Sequence, residues 1–345
     1  MKAVAKKSVL SGHITVPGSK SHTIRALILA AMADGTSHIS NPLPSNDCLS
    51  TAAAVRQVGA EVDFGDSIWT VRGAGKNLHL PEDKIDVGNS GSLMYFLCPV
   101  LSTLPGECTF TGDESICRRP VNHLIDALCQ FGANGRSLNA GPDGAPGTTP
   151  PFSFCGPIDV NKTLVTEGAL SQYISGFMMA ASRLNGTLHM ELTNPKETPY
   201  LTMTKLWLES VGVPVSISPD FKKIAVTGPV PFKAFDRAVP SDWEGVAFPL
   251  VAALISGSEI TIDNFIRHAR NLVRKVVVAF AHKPLDREHR LLRIGYGLTF
   301  GRVANFALAT VNKADYRRRC TFAFAVCNNY RFVAFHHGNA RVCSS

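Results

Sequence analysis

The segment VPGSKSHTIRALILAAMADGTSHI, residues 16–39, contains the pattern on which the fold prediction depends. An apolar helical run ends there in a small polar turn at Gly35, and a short strand-like stretch follows. The same order of helix, glycine turn and strand returns at Gly106, Gly186 and Gly257, at spacings of 71, 80 and 71 residues. A repeat of this length indicates one supersecondary unit that is used several times.

A second helical run follows each of the first three turns and ends at Gly59, Gly132 or Gly212, before another strand. Glycine just past a helix end adopts the left-handed backbone conformation without the penalty of a side chain. Each unit is therefore predicted as strand–helix–strand–helix–strand–strand, an α/β organisation. The first helix of each unit is so apolar that we expect it to be buried on most sides, with helices packed inside sheets.

The fourth unit loses this pattern after its first turn, and the repeat is not legible beyond about Phe265. A glycine-terminated helix should end near Lys283, where proline follows instead. Residues 266–345 carry 15 Lys/Arg and 3 Asp/Glu, a net charge of +12, whereas residues 1–265 carry 20 and 24, a net charge of −4. The overall charge of +8 therefore reflects the tail and does not indicate a nucleic-acid-binding body.

The sequence contains no pattern typical of secretion or membrane insertion. The first 20 residues lack the apolar core of a signal peptide, and the longest apolar stretches fall far short of the roughly 20 residues that cross a bilayer. We expect a cytoplasmic protein with no membrane and no nucleic-acid partner. The basic tail would allow salt-dependent contact with phosphates, but it carries no recognisable nucleic-acid-binding motif.

Four segments with residues typical of anion sites lie at predicted helix starts, where free N–H groups and the positive dipole end favour negative charge. They are Lys20, Ser21 and Arg25 after the Pro17-Gly18 turn, the Asn89–Ser92 turn with Gly91, Arg118-Arg119 before Pro120, and Ser171-Gln172 together with Tyr200. Pro120 is expected in the first turn of its helix. Each segment also fits a simpler role as a helix cap, a solvated charge or a packing residue.

The motifs PGSK-S-x-x-x-R-A-L, GNSG, RRP-x-x-x-L-x-x-A-L and SQ-x-x-S-x-x-M-M-A resemble, in this order, those of the 5-enolpyruvylshikimate-3-phosphate synthases over about residues 8–265. The resemblance implies two domains of three βαβαββ units each, with a chain that starts in one domain, builds the other and returns. Residues 20–240 would then form a complete three-unit domain. Residues 1–19 and 241–265 would form part of a second domain, followed by an atypical basic tail at 266–345.

The resemblance also implies the reaction of a transferase in aromatic amino acid biosynthesis, a 3-phosphoshikimate 1-carboxyvinyltransferase of the shikimate pathway. An enolpyruvyl group would move from phosphoenolpyruvate to the 5-hydroxyl of shikimate 3-phosphate through a tetrahedral intermediate, with release of phosphate. No metal and no organic cofactor would be needed. We expect a monomer.

Site residues follow from the resemblance position by position. Lys20 would touch both substrates and assist proton transfer. Shikimate 3-phosphate would be bound by Ser21, Arg25, Ser171, Gln172 and Tyr200, and phosphoenolpyruvate by Gly91 and Arg119. Both substrates carry several negative charges, which agrees with the cationic, N–H-rich character of these segments.

Several positions depart from the pattern of this family. Tyr95 stands where Arg is usual, Leu170 where Ser is frequent, and Glu197 where a small hydroxyl residue is usual and a carboxylate would repel a phosphate. The Asp base, the Glu acid/base, two Arg and a Lys of the last two units have no match in the tail, which is either native or the product of a frameshift. We therefore expect very little synthase activity, measurable as phosphate release at steady state.

Two other functions remain open. UDP-N-acetylglucosamine enolpyruvyl transferases share the repeats, but they usually carry Cys where this chain has Glu114, and Gly-Ala-Lys-Asn where it has Gly-Ser-Lys-Ser. A non-catalytic remnant that binds shikimate 3-phosphate is the other alternative. Calorimetry would identify it by binding of shikimate 3-phosphate without a response to phosphoenolpyruvate.

Overall fold

The computed structural model describes residues 8–141, 145–256 and 258–262, together with the backbone of six strands between residues 276 and 343. The chain divides into two compact units. We call residues 18–239 the central unit, and residues 1–17 with 240–345 the flanking unit.

The central unit is built from three consecutive repeats, preceded by strand β1 (Ser11–Ile14) of the flanking unit. The first repeat contains α1 (Lys20–Met32), β2 (Thr36–Ser40), α2 (Asn46–Gln57), β3 (Glu61–Phe64) and β4 (Ile68–Arg72). The second contains β5 (Ile85–Asp86), α3 (Gly91–Leu101), β6 (Gly106–Thr111), α4 (Asn122–Gln130), β7 (Asn134–Ser137) and β8 (Phe152–Gly156). The third contains β9 (Thr163–Thr166), α5 (Ser171–Ala181), β10 (Gly186–Leu192), α6 (Thr198–Ser210), β11 (Val215–Ile217) and β12 (Lys223–Gly228).

The second and third repeats form four-stranded sheets of the same topology, with strand orders β5-β6-β8-β7 and β9-β10-β12-β11. In each sheet the first strand lies parallel to the second, and the remaining neighbours are antiparallel. A parallel pair needs a crossover connection, and α3 and α5 provide it. The predicted α/β fold of βαβαββ units is confirmed.

The first repeat takes its first strand from the end of the central unit. Strand β13 (Asp236–Ala238) pairs in parallel with β2, with Asp236 opposite His38, and gives the order β13-β2-β4-β3. The three sheets are thus equivalent, although one strand of the first is separated from its repeat by more than 160 residues of chain. This pairing joins the C-terminal end of the central unit to the sheet of its first repeat.

The first helix of each repeat lies in the core, as predicted from its apolar sequence. In α1 every side chain from His22 to Met32 is buried, and α3 and α5 are buried over nearly their whole length. Burial of a Leu, Ile or Phe side chain stabilises the fold by about 1.5–3 kcal/mol relative to exposure. Three helices with all sides apolar are stable only because the three sheets cover them.

The glycines that end the second helices have the predicted backbone conformation. Gly59, Gly132 and Gly212 follow the ends of α2, α4 and α6 and have φ values of +105°, +94° and +88°. A side chain at such φ values is strained, so the recurrent glycine is explained by the sharp reversal from helix to strand.

Helices α3 and α5 approach each other closely at Gly176. A Cβ atom at this position would lie 2.2 Å from the Tyr95 carbonyl oxygen and 2.8 Å from Pro99 Cγ. The absence of a side chain therefore sets the distance between two helices that both begin with predicted site residues.

Among the residues that the structure describes, the flanking unit continues the repeat with a first helix and a strand. It contains α7 (Trp243–Ser256) and β14 (Glu259–Ile262), and β1 pairs in parallel with β14, with Ser11 opposite Glu259. Further strands are β15 (Val276–Ala279), β16 (His289–Tyr296), β17 (Ala307–Asn312), β18 (Val326–Asn328), β19 (Arg331–His336) and β20 (Asn339–Cys343). The positions where the repeat was predicted to break, Gly257 and Lys283, lie outside the described residues.

Among the residues described, no helix is both long and apolar enough to cross a bilayer, and α7 has 14 residues.

Candidate functional site

The three core helices of the central unit each begin with a predicted site residue. Lys20 is the first residue of α1, Gly91 of α3 and Ser171 of α5. The first turns of a helix carry N–H groups without helical partners and the positive end of the dipole. Hydrogen bonds between the helices hold these starts together as one candidate site.

Arg25 is buried, with 1% of its surface exposed, and it joins α1 to α5 and α6. Its Nε donates to Thr204 Oγ1 at 2.9 Å, and Nη1 donates to the Ser21 carbonyl oxygen at 2.9 Å. Nη2 lies 3.4 Å from Ser175 Oγ and 3.5 Å from the Tyr200 carbonyl oxygen. The guanidinium is held in one orientation, since its bonds reach three different helices.

The charge of Arg25 is balanced by dipoles in these contacts, because the acceptors named are all neutral oxygens. The Phe96 ring covers the guanidinium at 4.4 Å from its centroid, a favourable cation–π geometry. Burial lowers the pKa of Arg25 to about 9, and the nearby Tyr200 opposes this shift. The side chain is still charged at neutral pH, and an anionic ligand close to it would gain from the low polarity of its surroundings.

Lys20 lies at the start of the same helix and is half exposed. Its Nζ is 3.6 Å from Asp47 Oδ1 in the first turn of α2, and the two side chains are 45% and 26% exposed. An ion pair this accessible contributes little to stability, and either partner can rearrange toward a ligand. The ammonium is therefore both positioned by Asp47 and available at the surface of the site.

The start of α3 combines a capped turn with a nearby cation. Ser90 caps the helix by accepting a hydrogen bond from the Leu93 N–H at 3.3 Å, as the turn predicted. A Cβ at Gly91 would lie 3.4 Å from Arg119 Nη1, so this arginine reaches over the helix start. Arg119 is held by a 3.1 Å bond from Nη2 to Ser115 Oγ.

The prediction for Pro120 was wrong. Helix α4 begins at Asn122, two residues later, and Arg118 ends a short 3₁₀ turn, Ile116–Arg118. Tyr95 Oη instead donates to the Pro120 carbonyl oxygen at 3.4 Å, so this proline belongs to the loop that carries Arg119. Pro120 restricts the backbone of this loop and has no role in starting a helix.

The third repeat supplies Gln172 and Tyr200. Gln172 Nε2 donates to Ser92 Oγ at 2.9 Å and thereby joins the starts of α5 and α3. Tyr200 is the third residue of α6, and its carbonyl oxygen lies near both Arg25 and Thr204.

Glu197 makes an unexpected contact with Ser171. Both the backbone N–H and the hydroxyl of Ser171 donate to Glu197 Oε2, at 3.1 and 2.9 Å. Leu170 stands at the cap of α5 and has no side-chain acceptor of its own for the helix. The carboxylate of Glu197 thus serves as the acceptor at this helix start.

Tyr95 is a buried neighbour of the site. It is 6% exposed, and burial raises the pKa of its phenol to about 12. Its ring lies 5.2 Å from that of His123, which in turn lies 5.1 Å from Tyr173. Tyr95 stands where the resemblance implies Arg. It thus contributes a ring to an aromatic cluster with His123 and Tyr173 and adds no charge near Arg119.

Asp47 and Thr204 were not identified from the sequence, and Ser92 and Ser175 lay in segments singled out there but were given no role of their own. Ser175 and Thr204 follow Ser171 and Tyr200 by four residues, a spacing that places each pair on one helix face. This four-residue spacing is the feature of the sequence from which Ser175 and Thr204 could have been assigned to the site. The contacts that Asp47 and Ser92 make cross between helices, so no spacing along the chain indicated them. Within the described residues, no group of three or more His, Cys, Asp or Glu side chains is placed to hold a metal ion.

Comparison with known proteins gives two family matches. The family model described as EPSP synthase (3-phosphoshikimate 1-carboxyvinyltransferase) matches residues 4–285, about 20 residues further than the legible repeat. A second model, described as NAD-specific glutamate dehydrogenase, matches residues 249–345. The second match covers well under half of the chain and begins within α7, near the end of the repeats.

Individual relatives agree with the first match. The 3-phosphoshikimate 1-carboxyvinyltransferase of Acetivibrio thermocellus is 34% identical over 260 residues, which cover 75% of this chain and 59% of the relative. That of Methanococcus aeolicus is 34% identical over 285 residues, covering 80% and 64%. The solved EPSP synthase from Acinetobacter baumannii is similar with a TM-score of 0.64 and 28% identity, over 74% of this chain and 56% of that one. The chain thus spans about three fifths of the length of these relatives.

Proposed function

The chain belongs to the EPSP synthase family, and we propose that it acts in the reaction of that family, with the low turnover expected from the sequence. In this proposal, the central unit binds shikimate 3-phosphate and phosphoenolpyruvate for transfer of the enolpyruvyl group to the 5-hydroxyl. The observation that carries the proposal is the buried Arg25, hydrogen-bonded to α1, α5 and α6, together with the starts of α1 and α3, where Lys20 and Arg119 add cationic groups.

Shikimate 3-phosphate would be recognised by the groups that surround Arg25. Ser21 and Tyr200 flank the guanidinium on α1 and α6, and Gln172 lies at the start of α5. A rigid guanidinium suits an oxygen-rich, anionic ligand because its donors have fixed directions. The hydroxyl-bearing ring would be held by the polar side chains that line these helix ends.

Phosphoenolpyruvate would bind at the start of α3. Gly91 lets a ligand approach the free N–H groups of the helix, and Arg119 reaches over the same position. A carboxylate or phosphate placed there meets both the helix dipole and a guanidinium. This arrangement is supported by the 3.4 Å separation between the Cβ position of Gly91 and Arg119 Nη1.

Transfer would proceed by addition and elimination. The 5-hydroxyl oxygen gives up its proton as it bonds to C2 of phosphoenolpyruvate, and C3 gains a proton. The tetrahedral intermediate then loses a proton from C3 while the C2–O bond to phosphate breaks, which leaves the enol ether and inorganic phosphate. The Lys20 ammonium would contact both substrates, offset the charge that develops on the departing phosphate, and assist proton transfer. Its half-exposed pair with Asp47 would leave it free to do so.

Binding and turnover test the proposal separately. Isothermal calorimetry of the chain with shikimate 3-phosphate, then with phosphoenolpyruvate in its presence, should show saturable binding of both ligands. Phosphate release from the same mixture measures transfer. Binding without phosphate release would identify a shikimate-3-phosphate-binding protein, and absence of binding by either ligand would overturn the proposed site.

A further inference from the structure

The start of α5 is already occupied by an anion from the chain itself. Ser171 is 1% exposed, and both of its donors, the backbone N–H and the hydroxyl, reach the same oxygen of Glu197. A phosphate bound at this helix start would need these donors. Glu197 Oε2 therefore already occupies both of these donors.

The backbone of Glu197 has an unusual conformation at the start of α6. Glu197 has φ 52° and ψ 33°, the left-handed conformation, which costs a non-glycine residue roughly 1–2 kcal/mol. It stands at the cap of α6, yet its side chain makes no capping bond to that helix. The side chain points instead to α5, where two hydrogen bonds and the helix dipole stabilise its charge.

The surroundings favour an anion at this position. One turn further along α5, Ser175 Oγ lies 3.4 Å from the buried Arg25 guanidinium, which also contacts the Tyr200 carbonyl three residues after Glu197. The N–H groups at the start of α5 and the buried Arg25 guanidinium thus lie on the same side of the helix, and both attract negative charge. Glu197, a residue of the same chain, supplies the negative charge that the α5 start and Arg25 stabilise.

From this geometry we infer that Glu197 sets the affinity for phosphate at the α5 start: its carboxylate weakens, without preventing, the binding of a ligand that carries a phosphate there. A dianionic phosphate must displace the Glu197 carboxylate or lie beside it, and two negative groups within hydrogen-bonding reach of the same donors repel each other strongly. A ligand with a neutral hydroxyl at the same place meets no such repulsion. The inference rests on the proposed function, because the discriminated pair is shikimate 3-phosphate against unphosphorylated shikimate.

The test compares affinities for the two ligands in Glu197→Gln, which keeps the size of the side chain and removes its charge. Calorimetry at constant ionic strength should show at least about ten-fold tighter binding of shikimate 3-phosphate. Affinity for shikimate should change by less than about three-fold. Glu167→Gln is the matched control: its carboxylate precedes the same helix but accepts from Asn194 Nδ2 at 3.0 Å, and neither affinity should change by more than about three-fold.

Two results would overturn the inference: an unchanged affinity for shikimate 3-phosphate in Glu197→Gln, or an equal gain for both ligands. Inorganic phosphate followed by the amide resonance of Ser171 provides a second probe that does not depend on shikimate binding. Phosphate should shift this resonance in Glu197→Gln and leave it unchanged in the wild type. If neither shikimate ligand binds any variant, the proposed function fails, but a phosphate-induced shift of the Ser171 resonance in Glu197→Gln alone still supports the inference. An equal shift in both proteins, or no shift in either, refutes the inference.

Discussion

Thr204 Oγ1 lies 2.9 Å from Arg25 Nε, and both side chains are almost completely inaccessible to solvent. The same hydroxyl oxygen is 2.9 Å from Ser175 Oγ and 3.0 Å from the Tyr200 carbonyl oxygen. One threonine thus connects α1, α5 and α6 around the buried cation. Its position ties the stability of the central unit to the geometry of the candidate site.

Thr204→Val should destabilise the chain by about 1–3 kcal/mol, because it leaves the buried Arg25 Nε–H without its acceptor while the side-chain shape is kept. Urea unfolding followed by tryptophan fluorescence measures the change. Thr202→Val is the matched control on the same helix, where the hydroxyl only makes a local bond to the Thr198 carbonyl oxygen. The control should cost less than about 0.5 kcal/mol, and equal losses would contradict the role assigned to Thr204.

Gly176→Ala should destabilise the central unit by about 1–3 kcal/mol or more, since the added methyl would overlap the Tyr95 carbonyl oxygen and force α3 and α5 apart. The intrinsic gain of about 1 kcal/mol for alanine in a helix would be outweighed. Thermal unfolding measures the net effect.

Gly245→Ala in α7 provides the comparison for this substitution. A Cβ there would lie 3.4 Å from Val16 Cγ1, an ordinary van der Waals contact. We expect a neutral or slightly stabilising change. A loss at Gly245 as large as that at Gly176 would show that close helix packing is not the cause.

His123 should make stability depend on pH on the acid side. Its Nε2 is buried and has no hydrogen-bond partner, and burial lowers the pKa of the imidazole below its usual 6.5, opposed by Asp126. Below pH 6.5 the unfolded chain binds a proton that the folded chain does not, so the free energy of unfolding falls as pH falls. The His123 contribution is present above pH 6.5 and is lost as pH drops through the folded pKa.

His123→Phe should therefore lose less stability than the wild type between pH 7.5 and pH 5, as measured by urea unfolding at each pH. His189→Gln removes an exposed imidazole and should follow the wild-type profile. Parallel profiles for the wild type and His123→Phe would exclude a buried neutral imidazole at this position.

Lys20→Met should weaken binding of shikimate 3-phosphate by between about ten- and a hundred-fold, the effect of losing one charge-assisted contact. Stability should change by less than about 1 kcal/mol, because the pair with Asp47 is accessible to solvent. Calorimetry and unfolding curves give the two values. Lys205→Met breaks a comparable 3.6 Å pair with Glu209 on α6 and should leave affinity unchanged; equal losses of affinity would assign the effect to net charge.

Much of the fold was predictable because its information is local. The recurrent glycines at the ends of α2, α4 and α6 and the apolar first helices follow from backbone sterics and hydrophobic periodicity within about 25 residues of chain. The helix starts at Lys20, Gly91 and Ser171 were predicted for the same reason. Pro120 was misplaced, since a short 3₁₀ turn and a loop separate it from α4.

The sequence by itself thus determined the repeat, the starts of the three core helices and the types of residue found there. Tertiary structure alone decided how these parts meet: that β13 completes the first sheet beside β2, that Thr204 accepts from Arg25, and that Glu197 occupies the donors of Ser171. The physical reason is that a buried donor or charge must find its partner wherever the closed fold places one. Such pairs join residues from 26 to 198 positions apart, and no periodicity of the chain specifies them.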